Sequence, residues 1–567
     1  MKVLVANRGE IACRILRTLR EMDLPSVALY TDLDKDAPHV ALAREAVGIG
    51  GPDRYLDGAA VLAAARKAGA TALHPGYGFL SQSASFARAC QDAGVVFIGP
   101  SPESMEALGD KRGSRKTAEA IGVPVVPGMR EIDSFESARE AADRLGYPVL
   151  LKAAGGGGGR GMRLVTEGAQ LLEAHEAARR EARAAFGDDR LILEKYISPA
   201  RHVEVQILGD GKHAIALGER ECSLQRRYQK VIEEAPALRI PERTRHGLLE
   251  SAVRLARAVG YRSAGTVEFL VGPDGSHSFL EVNTRLQVEH PVTEMLTGID
   301  IVRAQIDLAR GGPLPSVPGP RGHAIEARVN AEDPYRGFLP QTGRLSVLRW
   351  PHMPGVRIDS GVREGTVLGT HYDSLLAKVI SWAGDREQAR RRLLEALRQS
   401  VILGVATNQA FLMQVLESGF FVEGETYTTT LESLAWTEPP ESRETAEAQE
   451  GAERRPGAAG RTGEDRYSPW NGDRAPRGAV PRSAPARAKG VERGSLGREI
   501  RAPMTGKVVK IASAPGAAVK ANEVILVMEA MKMEYRLAAP RDGVVEAILC
   551  REGDLIDLGR TVAVLRP

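Results

Sequence analysis

The sequence predicts an α/β protein of three successive α/β blocks, followed by a linker and a small all-β domain. Three observations predict it. Short apolar runs alternate with helically spaced apolar residues at the N-terminus. Two acidic strand-like segments flank a glycine turn near residue 272. Residues 498–567 contain an internal repeat.

The length supports the count: 567 residues make about four domains at roughly 150 each. With 43% hydrophobic and 26% charged residues, the composition is that of an ordinary soluble protein. No stretch approaches the ~18 unbroken apolar residues of a membrane span. The start, MKVLVANRGEIACRIL, meets Arg and Glu at once, unlike a signal peptide. Cys13, Cys90, Cys222 and Cys550 lie too far apart for a disulfide framework or a CxxC zinc site, so a reducing cytoplasm is expected. A net charge of +3 and 5% aromatic residues give no reason to expect nucleic acid. The 76 basic residues comprise 15 Lys and 61 Arg, so each lysine invites a reason.

Within 1–110, VLVA (3–6) reads as a strand, Ile11 to Met22 as a helix and Ser26–Tyr30 as a strand. Further units end near ATALHPGYG (70–78) and VVFIGP (95–100). That alternation predicts a parallel sheet with helices on its faces. No GxGxxG follows the first strand, so a dinucleotide site is not supported. Block 111–204 carries GGGGGRGM (155–162), and 205–440 is a third, mixed α/β block. Residues 441–497 contain no Ile, Phe or Met and one Leu, too little apolar surface to fold alone. They read as a flexible linker in which Tyr467 and Trp470 could form a small docking point.

In 498–567, Ala502-Pro503, Gly506, Val508, Ile511 and Gly516 recur as Ala539-Pro540, Gly543, Val545, Ile548 and Gly553, each offset by 37. Two similar β-rich halves predict a sandwich or barrel with pseudo-twofold symmetry. Between them lies Glu529-Ala530-Met531-Lys532-Met533, which places Lys532 at an exposed turn between two loosely held methionines.

Three further motifs carry chemistry. The glycines at 155–159 follow the strand-like YPVLLKAA (147–154). They let backbone N–H groups approach phosphate oxygens, with Lys152 supplying charge; the bland alternative is a glycine hinge. TVEFLV (266–271), GPDG and SHSFLEVN (276–283) read as a β-hairpin that brings Glu268 near Glu281, with Asn283 on the same face. Three hard oxygen ligands suit Mg²⁺ shared with nucleotide phosphates. Beyond them, Arg285, Gln287 and Glu289 alternate, so an extended segment would set them on one face. There Arg can fork a small oxyanion and Glu can accept a proton; the bland alternative is a surface ion pair.

The run KAAGGGGGRGM, EKYI, PARHVEVQ, ECSLQRRYQKVIEEAPA, EVNTRLQVEHPVTE and EARVNAEDP resembles biotin carboxylase, a member of the ATP-grasp superfamily, over about 1–440. EAMKM within the duplicated β-domain resembles the biotinyl carrier domain. A lipoyl domain shares that fold but usually carries DKA at the turn. Together they are similar to the α subunit of an acyl-CoA carboxylase. The implied fold is an α/β ATP-grasp biotin carboxylase: a Rossmann-like N-terminal domain, a glycine-rich lid and a mixed α/β C-terminal domain. A small all-β biotinyl/lipoyl-type barrel follows.

By resemblance, Lys111 and Lys152 match the nucleotide-phosphate lysines, and Gly158 and Gly159 lie in the phosphate-covering loop. Glu194, Lys195, Tyr196 and Ile197 match the adenine hinge, and His202 and Gln225 further nucleotide contacts. Tyr228 stands where the family commonly has His. Glu268, Glu281 and Asn283 match the metal ligands for Mg²⁺ or Mn²⁺. Lys230, Arg285, Gln287, Val288 and Glu289 match the bicarbonate pocket, with Glu289 as base. Arg328 matches the residue that stabilises the biotin enolate, and Lys532 the biotin attachment site. The implied activity is MgATP- and bicarbonate-dependent carboxylation of that biotin. The implied partners are a biotin-protein ligase, a carboxyltransferase β subunit that brings acetyl- or propionyl-CoA, and further copies meeting through the carboxylase domain. A different ATP-grasp ligase would share the hairpin and glycine loop but not need EAMKM; a simple carrier would need Lys532 but no metal ligands.

Overall fold

The computed structural model describes residues 1–109, 111–128, 130–132, 134–154, 162–186, 189–227, 229–438, 498–531 and 533–566. The expectations for Gly158, Gly159, Tyr228, Lys532 and the linker 441–497 fall outside those residues. The chain divides into two compact units, one holding most of residues 1–437 and the other the C-terminal β-domain.

In the first unit, strands β1 (Val3–Val5), β2 (Ser26–Tyr30), β3 (Glu45–Gly48), β4 (Ala72–His74) and β5 (Val96–Phe97) form a wholly parallel sheet in the order β3-β2-β1-β4-β5. The alternation of strand and helix demanded this, since a parallel neighbour needs a crossover. Helix Gly9–Glu21 buries Ile11, Ile15, Leu16 and Leu19 and carries Glu10, also buried, in its first turn.

A second, four-stranded antiparallel sheet contains β6 (Arg130–Ile132), β7 (Val149–Ala153), β8 (Arg163–Val165) and β9 (Leu191–Lys195) in the order β6-β9-β7-β8. Val149, Leu151, Val165, Leu191 and Leu193 pack against Ala138, Ala142, Ala178 and Ala182 of two covering helices, whose small residues let them lie close to the sheet.

The largest sheet has eight antiparallel strands. They are β10 (Arg201–Asp210), β11 (Ala214–Arg226), β12 (Gln229–Ala235), β13 (Arg262–Val271), β14 (His277–Asn283), β15 (His323–Asn330), Val356–Ser360 and Leu375–Ala383. Their order is β14-β13-β10-β11-β12-β15, then 375–383 and 356–360. Strand β10 alternates strictly: Val203, Val205 and Ile207 enter a core with Leu248 and Leu255 of helix Glu242–Ala258. His202, Glu204 and Gln206 therefore point to the opposite face. They too are buried, so this sheet has one apolar and one polar covered face.

The β-domain bears out the 37-residue repeat. One sheet orders its strands as Glu499–Arg501, Thr561–Arg566, Gly543–Ile548 and Ala518–Val519. The other orders Met533–Ala538, Val524–Ala530, Gly506–Ile511 and Leu555–Ile556. The pair Val519 with Gly543 is the image of Ile556 with Gly506, and Lys507 with Glu529 that of Val544 with Arg566. At the hairpin, Ala530 pairs with Met533 across residues 531 and 532. Met531 takes a left-handed φ of 49°.

Candidate active site on the polar face of the central sheet

Cross-strand register assembles the site. Glu204 on β10 stands opposite Glu268 on β13 and Arg220 on β11, and Glu268 stands opposite Glu281 on β14. Thr266 faces Asn283, so both carboxylates and the amide share one face, as the hairpin predicted. The turn between these strands uses Gly275 at φ 78°, its N–H bonded to Gly272 O at 3.0 Å.

Lys230 Nζ is the hub. It donates to Glu204 Oε2 at 2.5 Å, Glu289 Oε1 at 2.6 Å and Glu268 Oε1 at 3.0 Å. Arg220 is fully buried and reaches Glu204 Oε1 at 2.5 Å, Gln206 Oε1 at 2.8 Å, Thr293 Oγ1 at 3.0 Å and Thr266 Oγ1 at 3.1 Å. Arg328 on β15 donates from Nε to Glu233 Oε1 at 2.6 Å and from Nη2 to Glu289 Oε2 at 3.0 Å. Glu289, 0% exposed, is thus gripped at both oxygens by different cations.

Those contacts set the titration of the site. Burial pushes the Glu289 carboxyl up, but Lys230, then Arg328 and Arg220, outweigh it and hold the group well below the usual carboxylate range. Glu268 moves the same way, burial opposed by Lys230 and His202. Glu233 goes the other way: desolvation beats Arg328, and its carboxyl is pushed up to about 7. Carboxylates on one sheet face are thereby driven apart in proton affinity by which cations reach them.

Segment 284–289 departs from the expected extended strand. It is an irregular turn running into helix His290–Thr297. Arg285 and Gln287 still meet, Nη1 to Oε1 at 2.8 Å, and Arg285 Nη2 reaches Asn283 Oδ1 at 3.1 Å. Glu289 instead turns inward to Lys230 and Arg328, so the simple surface pair with Arg285 does not form. A proline directly after His290 favours helix from that point, ending the alternation.

Asn283 Nδ2 and Gln287 Nε2 both donate to Glu268 Oε1, at 2.8 and 3.0 Å. Among the described residues, His, Cys, Asp and Glu donors converge within 4.8 Å as His202–Glu204–Glu268 and as Glu204–Cys222–Glu289. Glu281 belongs to neither group and is only half-buried opposite Glu268. The oxygens of Glu268, Glu281 and Asn283 are nonetheless a hard donor set that fits a divalent cation such as Mg²⁺.

The nucleotide candidates gather on β7 and β9 and at the ends of β10 and β11. Lys152 pairs with Glu194, while Lys195 Nζ is tied to the carbonyls of Gly146 and Tyr147 at 2.9 and 3.1 Å. The Lys195 ammonium is thus occupied by two backbone carbonyls. Tyr196 and Ile197 follow directly, with Tyr196 N bonded to Pro148 O at 3.1 Å. Gln225 Nε2 lies 2.6 Å from His202 Nδ1, and His202 Nε2 lies 3.0 Å from Glu268 Oε2. Lys111 opens helix Lys111–Ala120. Reading the sequence missed Glu204, Arg220, Glu233 and the buried Lys378. A lysine inside the apolar run SLLAKVI, in a chain with 15 lysines, was the available signal for the last.

The lysine-bearing strand β7, the hairpin of hard oxygen donors and the cation-gripped glutamate belong to an ATP-grasp enzyme joined to a duplicated β-domain. The family "Biotin carboxylase, N-terminal domain" matches residues 1–105, and "Carbamoyl-phosphate synthase L chain, ATP binding domain" 110–317. "Biotin carboxylase C-terminal domain" matches 326–433, and "Biotin-requiring enzyme" 498–565. The biotin-dependent acyl-coenzyme A carboxylase alpha3 subunit of Mycobacterium leprae is 41% identical, covering 100% of this chain and 98% of the relative. The human mitochondrial propionyl-CoA carboxylase alpha chain is 47% identical over 76% of this chain, which spans 60% of that relative. The biotin carboxylase of Campylobacter jejuni, solved as a complex with a β,γ-ATP ligand, superposes with a TM-score of 0.74. It is 42% identical, over 76% of this chain and 98% of that one. The biotin carboxylase domain of Hydrogenobacter thermophilus 2-oxoglutarate carboxylase, solved with MgADP, ADP and bicarbonate, gives 0.73 at 43% identity, covering 77% and 99%. This chain belongs to the biotin-dependent acyl-CoA carboxylase α-subunit family. It is an ATP-dependent biotin carboxylase with a biotin carrier domain on the same chain.

Proposed function

We propose that Lys532 carries the biotin and that this chain delivers its carboxybiotin to a separate carboxyltransferase β subunit, which transfers the carboxyl to acetyl- or propionyl-CoA. Relatives include propionyl- and methylcrotonoyl-CoA carboxylase α subunits, so similarity alone does not select the acyl group. A biotin-protein ligase would modify Lys532, and copies would associate through the carboxylase domain. No helix among the described residues is long and apolar enough to cross a membrane. All four cysteines are free and buried, which suits the reducing cytoplasm.

The observation that carries the residue roles is Glu289, buried between Lys230 and Arg328. Arg285 and Gln287 would hold bicarbonate beside it. The arriving anion shares the nearby cations and so raises the proton affinity of Glu289 from its depressed resting value. Glu289 takes the bicarbonate proton as a bicarbonate oxygen attacks the γ-phosphorus of ATP. The bond to the β,γ-bridging oxygen breaks, giving carboxyphosphate and ADP. Lys152 and the glycine loop would neutralise charge on the transferring phosphoryl group, while Glu194–Ile197, His202, Gln225 and Tyr228 hold the nucleoside. Lys111 adds a second phosphate charge. Mg²⁺ held by Glu268, Glu281 and Asn283 would supply charge neutralisation at the phosphates when bound. Carboxyphosphate would release CO₂ and phosphate, the phosphate taking the biotin N1 proton, and Arg328 would stabilise the resulting enolate as it attacks CO₂. ADP release is measured with and without bicarbonate in wild type and Glu289→Gln; a bicarbonate-dependent rate that survives in the variant sinks the assignment of Glu289.

A further inference from the structure

The turn bearing Arg285, Gln287 and Glu289 is anchored through its carbonyls. Leu286 O accepts from Arg285 Nη1 at 3.2 Å, and Gln287 O lies 2.7 Å from His290 Nδ1. A carbonyl only accepts, so Nδ1 carries the proton there. Val288 O accepts from Lys378 Nζ at 2.9 Å.

Lys378 is a costly way to hold one carbonyl. Its side chain is fully buried on strand Leu375–Ala383, paired with Arg328 on one side and Asp359 on the other. Its ammonium lies 3.0 Å from Glu10 Oε2 and 3.8 Å from Asp359 Oδ2. Glu10 in turn accepts from the Tyr77 hydroxyl, and Arg357 forks Asp359 at 3.1 and 2.7 Å. Four segments distant in sequence are thus arranged around one buried cation, where a Met or Leu would fill the strand without a charge to compensate.

We propose that Lys378 is a positioning residue for bicarbonate. A trans peptide sets its N–H opposite its C=O, so fixing Val288 O also fixes the direction of the Glu289 N–H and the start of the Glu289 side chain. Glu10 acts through Lys378 by keeping the ammonium in place. The inference rests on the reading that this turn forms the bicarbonate pocket.

The test uses the full chain, with ADP formation titrated separately in bicarbonate and in ATP, and a melting curve for each variant. Lys378→Met removes the donor at similar length. Its bicarbonate KM should rise about tenfold, the equivalent of one lost hydrogen bond, while the ATP KM stays within about twofold. Glu10→Gln keeps the shape, loses the counter-charge and should move the bicarbonate KM the same way by a smaller factor. It is also the readout if Lys378→Met fails to fold. A folded variant with unchanged bicarbonate KM, or with both KM values raised equally, overturns the proposal and leaves Lys378 a structural strut. If wild-type ADP formation ignores bicarbonate, the reading of the pocket itself has failed.

Discussion

Glu268 and Glu281 are direct partners across the β13–β14 hairpin, yet they stand in opposite environments. Glu268 is 5% exposed and is approached by Lys230, Asn283, Gln287 and His202, whereas Glu281 is half-buried. One carboxylate of the hairpin is buried among Lys230, His202 and two side-chain amides, and the other is half-exposed to solvent.

That asymmetry predicts a split between stability and metal response. Glu281→Gln should cost less stability than the same change at Glu268, because Glu281 is half-buried rather than buried, and raise the Mg²⁺ concentration for half-maximal activity about tenfold. Glu268→Gln should cost about 1–3 kcal/mol, because Lys230 and two amide donors lose a charged acceptor. Melting curves and Mg²⁺ titrations of both variants decide it; equal effects in the two would contradict the split.

Arg328 is shared by Glu233 and Glu289, so its removal leaves two buried carboxylates with one fewer cation. Arg328→Met should destabilise the carboxylase unit by about 3–5 kcal/mol. Adding Glu233→Gln should recover part of that loss, because without Arg328 the buried Glu233 must take up a proton against its ordinary pKa, a cost that glutamine does not carry. A double variant no more stable than the single one in chemical denaturation would show that Glu233 was not the burdened partner.

The hairpin and the repeat were legible because each is local. Alternation within β13 and β14 orients Glu268, Glu281 and Asn283, and a 37-residue offset needs only counting. Glu204, Arg220 and Glu233 were not legible, because each acquires its role from side-chain contacts made only in the folded chain. Arg220 meets Thr293, 73 residues on, and Glu233 meets Arg328, 95 residues on. The same limit explains Glu289. Alternation predicted a shared face with Arg285, but tertiary cations and a helix start pulled its carboxylate inward.

Glu221 supplies a pH test. Burial, opposed by Arg201 and Ser223, pushes its carboxyl up to about 7. In the unfolded chain it titrates at about 4.3, so between those values the native state holds more protons and stability falls as pH rises. The loss across that window is about 4 kcal/mol. Glu221→Gln should therefore gain on wild type as the pH goes from 4 to 8. Parallel stability curves for the two proteins over that range would remove Glu221 as the cause.

The carrier hairpin yields the last prediction. Met531 holds φ 49°, and Ala530 and Met533 pair on either side of the turn. A left-handed conformation costs an L-residue about 1–2 kcal/mol, and a β-branched side chain is the least tolerant of it. Met531→Ile keeps the apolar volume but resists that φ, so it should distort the turn next to Lys532, the proposed biotin site, while leaving both four-stranded sheets in place. Biotinylation by a biotin-protein ligase, followed by mass spectrometry of the Lys532 peptide, should slow about tenfold or more. Met531→Leu, which is unbranched at Cβ, should be labelled at close to the wild-type rate. If the Ile and Leu variants are biotinylated equally fast, the ligase does not read the backbone of this turn.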